Sequence, residues 1–435
     1  MDETYSIKYQ FKPSAGYTYG DMHEFQLTPA GTALLTIYPS LPADLSAVGG
    51  AKNGFMLDGA FQEINLETGE LLFQWNASSH IPLATSHKQL KGCSDDPKRA
   101  FLGCGNTVDA AFDYYHINSV QKDDSGNYLV SGRHTSSLTY INGKTGETIW
   151  TMGGDLNDFD YEDDGVEKLF SWQHHARIYN DSTITLLDNN AYSYLHARTE
   201  SRGLQLKVDI PNRKVQTLHD YRHPQQRMSY SQGNMQVLDS GNMFVGWGNC
   251  AAFTEFSADG QVLCDARFAP AAFFSFQPLS SYRSFRGTWV GKPTDQPRVA
   301  TGSGQVYVSW NGATEVVKWR VEGAVKSVRT KKTGKYETLT TGLKEGFETT
   351  IKLESDGTHN VLRVLALDKD DKILGTSEPF QPPLTTSWLD SLGYIIFWIL
   401  MIAIVGFGVW FMASFVWRLR QRNEKGAYKP IGTTD

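Results

Sequence analysis

The chain lacks several features that mark common classes of protein. Its 435 residues carry a formal net charge of −6, so it has no basic field with which to bind a nucleic-acid backbone. Charged residues make up only 20% of the chain and hydrophobic residues 40%, which excludes a disordered or fibrous protein. The composition predicts a folded protein, large enough for more than one domain, with no nucleic-acid partner.

The N-terminus MDETYSIKYQ also lacks the apolar segment that is typical of a signal peptide. We therefore expect the native protein to begin earlier, with a signal peptide and further strands that precede this chain. The alternative is a tail-anchored protein whose bulk lies in the cytosol.

One stretch near the C-terminus lacks charge altogether. Residues 393–417, GYIIFWILMIAIVGFGVWFMASFVW, exceed the roughly 20 apolar residues that a helix needs to cross a bilayer. Arginine and lysine side chains follow at once in residues 418–435. The positive-inside rule predicts a single-pass helix with a cytoplasmic basic tail. Residues 381–392 would form a stalk, and the bulk of the chain would be extracellular or in the secretory lumen.

Cysteine is scarce, at four residues, and no CxxC spacing suggests zinc. An even number in an oxidising compartment predicts disulfides. Three connectivities are possible, and we favour the local pairing of Cys93 with Cys104 and of Cys250 with Cys264. Two sequons fit the same compartment and predict glycosylation at Asn76 and Asn180.

Short strands separated by turn signals dominate the rest of the chain and predict an all-β protein. Four segments share one pattern: a strand opens on a polar residue or glycine, turns at Gly, Asp or Ser, and returns as an apolar strand. They are HEFQLTPAGTALLTIY from His23, HINSVQKDDSGNYLVSGRH from His116, HHARIYNDSTITLLDNN from His174 and GNMQVLDSGNMFVGWGN from Gly233. Third and fourth strands follow in each unit, as in FQEINLETGELLFQW from Phe61. Repeated units of four antiparallel strands are typical of β-propeller blades.

About four blades are visible within residues 1–292. Because six to eight blades are commoner, we expect N-terminal blades to be missing from this chain. Residues 293–380 then hold about seven strand-sized runs, a density typical of an immunoglobulin-like or fibronectin type III-like sandwich. Trp310 and Trp319 are expected in its core.

The repeat also predicts a site, because the first strand of each blade lines the central channel of a propeller. His23, His116 and His174 would form one ring there, and His134, Asn190 and Asn249 a second. Imidazole can act as nucleophile, acid or base near neutral pH. Arginines beside these rings, at Arg133 and Arg177, match the oxygens of a sulfate or phosphate. The sequence predicts a polar funnel for an oxyanion, with no metal and no cofactor.

A family resemblance rests on a set of motifs in fixed order across residues 17–290. FDYYHINSV, SGRHTS, SWQHHAR, LLDNNA, SQGN, FVGWGN and YRSFR resemble the arylsulfotransferase-like family of filamentous fungi. The resemblance implies a six-bladed propeller, secreted or membrane-anchored. Its better understood bacterial relatives move a sulfuryl group from a phenolic sulfate ester to a phenol through a sulfated histidine.

Carried onto this sequence, the resemblance implies three catalytic histidines, His116, His134 and His174. It implies oxyanion binding by Arg133, Arg177 and Asn118, and a small phenolic or sulfated molecule as partner. His23, Asn190 and Asn249 are further substrate-binding candidates by their positions in the repeat. Two other functions stay open: a non-catalytic binding module of the secretory pathway or cell surface, and a propeller recruited to another secondary-metabolite reaction such as cyclisation.

Overall fold

The structure of the chain is a computed structural model with two compact units, Gln10–Gly287 and Met1–Tyr9 together with Thr288–Asp435. It describes residues 1–90, 103–163, 169–180, 182–191, 200–269, 279–302, 304–353, 357–382 and 388–425.

The unit Gln10–Gly287 is built from short strands, and within its described residues the only helices are single 3-10 turns. The strands, in chain order, are β1 Phe25–Leu27, β2 Thr32–Ile37, β3 Ser40–Ala43, β4 Gly54–Leu57, β5 Ala60–Asn65, β6 Leu71–Asn76, β7 Phe112–Asp113, β8 Ile117–Lys122, β9 Tyr128–Gly132, β10 Ser137–Ile141, β11 Thr148–Gly153, β12 Asp160–Tyr161, β13 His174–Asn180, β14 Thr183–Asp188, β15 Arg202–Asp209, β16 Lys214–Arg222, β17 Asn234–Val237, β18 Met243–Gly246, β19 Ala252–Phe256 and β20 Val262–Arg267.

These strands form four antiparallel sheets, which we number in chain order. Sheet 1 has the order β1-β2-β5-β6, sheet 2 β8-β9-β10-β11, sheet 3 β13-β14-β15-β16 and sheet 4 β17-β18-β19-β20. Strand β12 adds to sheet 3 in parallel with β16, and β3, β4 and β7 make a small separate sheet. The all-β class and the repeated four-stranded units are confirmed. Closure into a propeller ring stays a prediction, since the described sheets do not show a closed ring.

Consecutive sheets pack against each other through apolar side chains. Strand β8 lies beside β2 and β13, and β17 lies beside β13. Phe61 of sheet 1 and Tyr128 of sheet 2 share one core, with ring centroids 5.0 Å apart. Strands β9 and β14 are buried along their whole length, because each lies in a sheet covered on both faces.

Side-chain amides also join neighbouring segments. Gln121 on β8 accepts a hydrogen bond from the amide of Ile178 at 2.7 Å and donates to its carbonyl at 3.1 Å. Asn234 on β17 makes the same pair of bonds with Ser284, at 2.8 and 2.7 Å. Residues 281–286 therefore run beside β17 much as β13 runs beside β8, although they do not form a regular strand.

The described residues of the second unit form seven strands and one helix. They are β21 Arg298–Gly302, β22 Gln305–Ser309, β23 Lys318–Ala324, β24 Glu337–Leu343, β25 Glu348–Lys352, β26 Val361–Leu367, β27 Ile373–Thr376 and the helix α1 Trp388–Lys425. Two antiparallel sheets result, β21-β22-β25 and β24-β23-β26-β27.

The two sheets of this unit share one apolar core. Val306 and Ile351 come from the first sheet and Val364 from the second. Trp310 and Trp319 are buried in the same core, as expected. The assignment to an immunoglobulin-like or fibronectin type III-like class stays a prediction.

Helix α1 fits a single-pass membrane anchor. Residues 394–414 form a segment that is long and apolar enough to cross a bilayer, with a mean hydropathy of 2.6. The side chains of residues 394–413 are exposed, whereas a core helix of a soluble protein would bury its apolar face.

The predicted disulfide between Cys250 and Cys264 is wrong. Both cysteines are free: Cys250 is buried with its Sγ donating to the carbonyl of Met228 at 3.1 Å, and Cys264 is exposed on β20. Strand register explains the separation, because Cys264 lies opposite Glu255, whereas Cys250 precedes the start of β19 at Ala252, three residues before Glu255. Three residues of strand already span about 10 Å, which is beyond the reach of a disulfide. Cys93 lies outside the described residues, so its bridge to Cys104 stays a prediction.

The two free cysteines should differ in reactivity. We expect a maleimide to modify Cys264 in the native chain, with Cys250 reacting only after denaturation. Burial restricts access to the Cys250 thiol and raises its pKa to about 11, which leaves little reactive thiolate. Peptide mapping by mass spectrometry locates the adducts, and Cys264→Ser is the control that should abolish native labelling at this site. A peptide pair joined through Cys250 and Cys264 in the unreduced chain would contradict the structure.

Candidate functional site

A buried carboxylate, Glu24, lies where three of the sheets meet. Its side chain is 1% exposed and accepts hydrogen bonds from Arg177 Nη2 at 2.6 Å and Arg283 Nη1 at 2.8 Å. The amide of Val120 donates to the same carboxylate at 3.2 Å. Glu24 precedes β1, Val120 lies on β8 and Arg177 on β13. One side chain therefore connects sheets 1, 2 and 3 with the segment 281–286.

The charges of this cluster depend on each other. Burial alone would raise the pKa of Glu24, but Arg177 and Arg283 outweigh it and hold the pKa below its ordinary value. Arg283 also donates to the backbone carbonyls of His23 and Asn118. The guanidinium of Arg177 bonds Glu24 and the carbonyl of Ala176. Oxyanion binding by Arg177 stays a prediction.

Two histidines beside this cluster are each oriented by an aspartate. His116 Nδ1 contacts the Asp113 carboxylate, and His23 Nδ1 lies 2.5 Å from Asp21 Oδ1. The two rings meet edge to face with centroids 4.6 Å apart. Among the described residues, neither Nε2 has a hydrogen-bond partner. A carboxylate on Nδ1 places the ring proton there, so each Nε2 keeps an open lone pair.

The backbone of His116 is held in an uncommon conformation. Its φ is 56°, in the left-handed region that few residues other than glycine adopt. Its carbonyl accepts a hydrogen bond from the amide of Arg133 at 3.1 Å. Such constrained residues are concentrated at functional sites, where the surrounding structure maintains them.

The other two histidines predicted to be catalytic have both ring nitrogens engaged. His134 donates from Nδ1 to the carbonyl of Asp113 at 2.7 Å and accepts at Nε2 from Arg133. His174 donates from Nδ1 to Asn189 at 2.6 Å and accepts at Nε2 from the amide of Gln232 at 3.1 Å. Burial holds the pKa of both rings well below the ordinary value. Both are therefore neutral rings without an open lone pair.

Arg133 is a buried cation without a close carboxylate. It is 8% exposed, its Nη1 donates to His134 at 3.1 Å and its Nη2 to the carbonyl of Tyr230 at 3.0 Å. Its Nε is buried and lacks a partner among the described residues. Burial lowers the pKa of the guanidinium to about 10. An uncompensated buried charge is costly, so this position favours an anion.

Lys88 is a second cation at the site, and the sequence repeat does not predict it. Burial lowers the pKa of its ammonium group, and its charge acts on both Asp113 and His134. It has no hydrogen-bonded or ion-pair partner among the described residues. The preceding residue, His87, donates its amide to the carbonyl of His134 at 2.8 Å, which ties this segment to the site. Lys88 lies between β6 and β8, outside the repeat, so repeat alignment could not find it.

The remaining predicted binding residues make structural contacts. Asn118 is buried and donates to the carbonyl of Gln173 at 2.6 Å. The Asn190 amide donates to the carbonyl of Ser171 at 3.0 Å. Asn249 accepts from Ser229 Oγ at 2.8 Å. Their roles in binding a substrate stay predictions.

Glycosylation also stays a prediction at both sequons. Asn76 and Ser78 both donate to the buried carboxylate of Asp58, at 2.9 and 2.8 Å. Asn180 instead lies at the exposed end of β13, where a glycan would displace no buried contact.

Asp113, His116 and His134 could in principle hold a metal ion, since one ligand atom of each lies within 4.8 Å of the others. Two nearby cations, Arg133 and Lys88, disfavour a divalent metal there. Asp113 also already bonds the Nδ1 atoms of both histidines, through its carboxylate and its backbone carbonyl. The electrostatics fit an anion better than a cation.

Sheet repeat and site together define an all-β protein with a polar, histidine-containing site between its sheets. The chain belongs to the arylsulfotransferase (ASST) family, whose model matches residues 2–269. Membership indicates an arylsulfotransferase-like function. No curated protein gives a significant match.

Solved structures resemble the chain only distantly. A protein of unknown function from Bacteroides caccae is 13% identical, with a TM-score of 0.30 over 67% of this chain and 72% of that one. Virginiamycin B lyase from Staphylococcus aureus is 9% identical, with a TM-score of 0.26 over 81% of this chain and 90% of that one. A streptogramin B lyase is 7% identical, with a TM-score of 0.31 over 84% of this chain and 83% of that one. Similarity at this level carries no argument about function.

Glu24 should be essential for stability. We expect Glu24→Gln to lower the free energy of unfolding by about 3 kcal/mol or more, because two largely buried arginines lose their counter-charge. Denaturant unfolding of the purified chain measures the change. Glu162→Gln is the matched control: its partner is Lys214 in an exposed ion pair, and such pairs contribute little to stability. Equal losses in the two variants would contradict the role of Glu24.

Proposed function

We propose that this protein transfers a sulfuryl group from a phenolic sulfate ester to a phenol, with His116 Nε2 as the nucleophile. The observation that carries the proposal is the open Nε2 of a histidine whose Nδ1 is fixed by Asp113, beside a buried arginine without a carboxylate partner. Family membership supports the reaction class.

The charge of the site supports an anionic substrate. Before any charge on the histidines is counted, four basic side chains outnumber three carboxylates. They are Lys88, Arg133, Arg177 and Arg283 against Asp21, Glu24 and Asp113. A sulfate monoester carries one negative charge, and would offset this excess. Arg133 and Lys88 are the cations without a close anion, and we assign them to the sulfuryl oxygens.

In the first half of the reaction, His116 Nε2 forms a bond to sulfur as the bond from sulfur to the phenolic oxygen breaks. The bonding electron pair leaves with the phenolate. Burial alone would raise the pKa of Asp113, but the adjacent His116 and His134 rings, the hydrogen bond from His116 and the Lys88 cation outweigh it and lower the pKa, so Asp113 is negatively charged. It can therefore stabilise the positive charge that develops on the sulfated imidazole.

In the second half, the oxygen of an acceptor phenol attacks sulfur and the bond to His116 breaks. The acceptor must lose its proton in this step. His23 Nε2 is open and its ring lies 4.6 Å from that of His116, so we assign His23 as the base that takes this proton and then releases it to water. The phenolate released in the first half takes up its proton from water.

We also propose that helix α1 anchors the protein with the reaction site outside the cytoplasm, in the secretory lumen or at the cell surface. The basic residues after position 417 support this orientation.

His116→Gln should abolish transfer. The purified full-length chain in detergent is given 4-nitrophenyl sulfate and an acceptor phenol, and nitrophenol release and sulfated product are measured. We expect at least about a 10³-fold loss of rate, as for loss of a nucleophile, and no radiolabelled sulfate on the protein. His174→Gln should retain labelling at His116, because both nitrogens of His174 bond within the fold.

The control is His219→Gln, an exposed residue on β16, which should leave the rate unchanged. Absence of transfer by the wild-type chain would overturn the proposed function. Labelling of His134 or His174 would overturn the assignment to His116. Binding of the aryl sulfate without transfer would instead favour a binding module.

The rate of sulfuryl transfer should depend on pH through the protonation of His116, because only the neutral ring is a nucleophile. Burial, with a smaller contribution from Arg133, lowers the pKa of His116, and Asp113 opposes this by raising it. The acid limb of kcat/KM should therefore lie below the ordinary histidine value of about 6.5. In Asp113→Asn the opposing charge is lost, so we expect the limb to move to still lower pH while the plateau rate falls at least about tenfold. A limb that moves to higher pH would contradict this coupling.

A further inference from the structure

Tyr282 has a buried hydroxyl without a hydrogen-bond partner among the described residues. Other tyrosines that are wholly or partly buried in the same unit have acceptors. Tyr38 donates to the carbonyl of Ile117, Tyr114 to that of Ile81, Tyr128 to Glu63 and Tyr221 to the carbonyl of Ala258. Buried polar groups are rarely left unpaired. The unpaired hydroxyl of Tyr282 therefore indicates a hydrogen-bond partner outside the protein, such as a ligand.

The hydroxyl-bearing ring lies among the histidines of the site. Its centroid is 5.5 Å from that of His23 and 6.3 Å from that of His174, edge to face in both cases. The Arg283 guanidinium lies over the ring at 5.4 Å. Burial raises the pKa of the phenol, so the group remains a proton-bearing donor near neutral pH.

The backbone holds this ring firmly. The carbonyl of Tyr282 accepts from the amide of Gly233 at 2.9 Å, and the next residue, Arg283, bonds Glu24. The side chain of Asn234 accepts from the amide of Ser284 and donates to its carbonyl. Residues 282–284 are therefore each held by a hydrogen bond to another part of the fold. These bonds fix the position of Tyr282, as expected for a preorganised group.

We infer that the Tyr282 hydroxyl donates a hydrogen bond to the phenolic oxygen of the sulfate ester. This hydrogen bond becomes stronger as the oxygen gains negative charge in the transition state. The inference rests on the proposed function. It adds no proton transfer: the bond from sulfur to oxygen breaks, the electron pair stays on the phenolic oxygen, and Tyr282 keeps its proton while bonding that oxygen.

Removing the hydroxyl should affect poor leaving groups most. A series of aryl sulfates with phenols of rising pKa is assayed with wild type and Tyr282→Phe, with kcat/KM for phenol release as the readout. Removal of one such donor typically lowers the rate about 10²- to 10³-fold. We expect a loss near about 10²-fold for phenyl sulfate and less than about tenfold for 4-nitrophenyl sulfate, whose oxygen needs less stabilisation.

Tyr38→Phe is the matched control, because its ring also lies 5.5 Å from that of His23 but its hydroxyl bonds the carbonyl of Ile117. Any rate change in Tyr38→Phe should be the same for every ester. A loss of equal size across the series in Tyr282→Phe would show a structural role and overturn the inference, as would no loss at all.

A second variant tests the inference even if Tyr282→Phe does not fold. Fluorotyrosine at position 282 preserves the size of the ring nearly unchanged and makes the hydroxyl a stronger donor, so the dependence on leaving group should become shallower than in wild type. An unchanged dependence overturns the inference while leaving sulfuryl transfer by His116 intact. A wild-type chain that transfers no sulfate overturns both.

Discussion

A buried carboxylate shared by two largely buried arginines holds the central part of this protein together. Glu24 can remain ionised at 1% exposure only because Arg177 and Arg283 both face it, and neither arginine could be buried there without it. Its partners come from different sheets and from residues 281–286. The cluster therefore fixes the sheets relative to one another at the place where their first strands converge.

The same cluster decides which polar groups remain available for chemistry. Arg177 is occupied by Glu24, whereas Arg133, one sheet away, faces histidines and a backbone carbonyl. Likewise His134 and His174 are satisfied at both ring nitrogens, and His23 and His116 are not. Hydrogen-bond saturation thus separates side chains that maintain the fold from those that can meet a ligand, and this separation underlies both proposals.

Several features were predictable from local patterns. The turn and strand repeat predicted four sheets, because alternation and Gly/Asp turns are properties of adjacent residues. Trp310 and Trp319 were correctly placed in a core. The pairing of Cys250 with Cys264 was wrong, because spacing along the chain does not reveal how far apart two positions lie once strand register is set. Lys88 and Tyr282 were missed because neither belongs to an aligned position of the repeat.

By itself, the sequence determined the all-β class, the apolar C-terminal helix and the histidines that recur at the starts of strands. Only the tertiary structure decided which of those histidines has an open nitrogen. The partners that decide it are remote in sequence: Glu24 and Arg283 are 259 residues apart, and His174 and the amide of Gln232 are 58 apart. Such contacts form only when the sheets pack, because burial makes an unpaired polar group costly and so selects the partners that satisfy it.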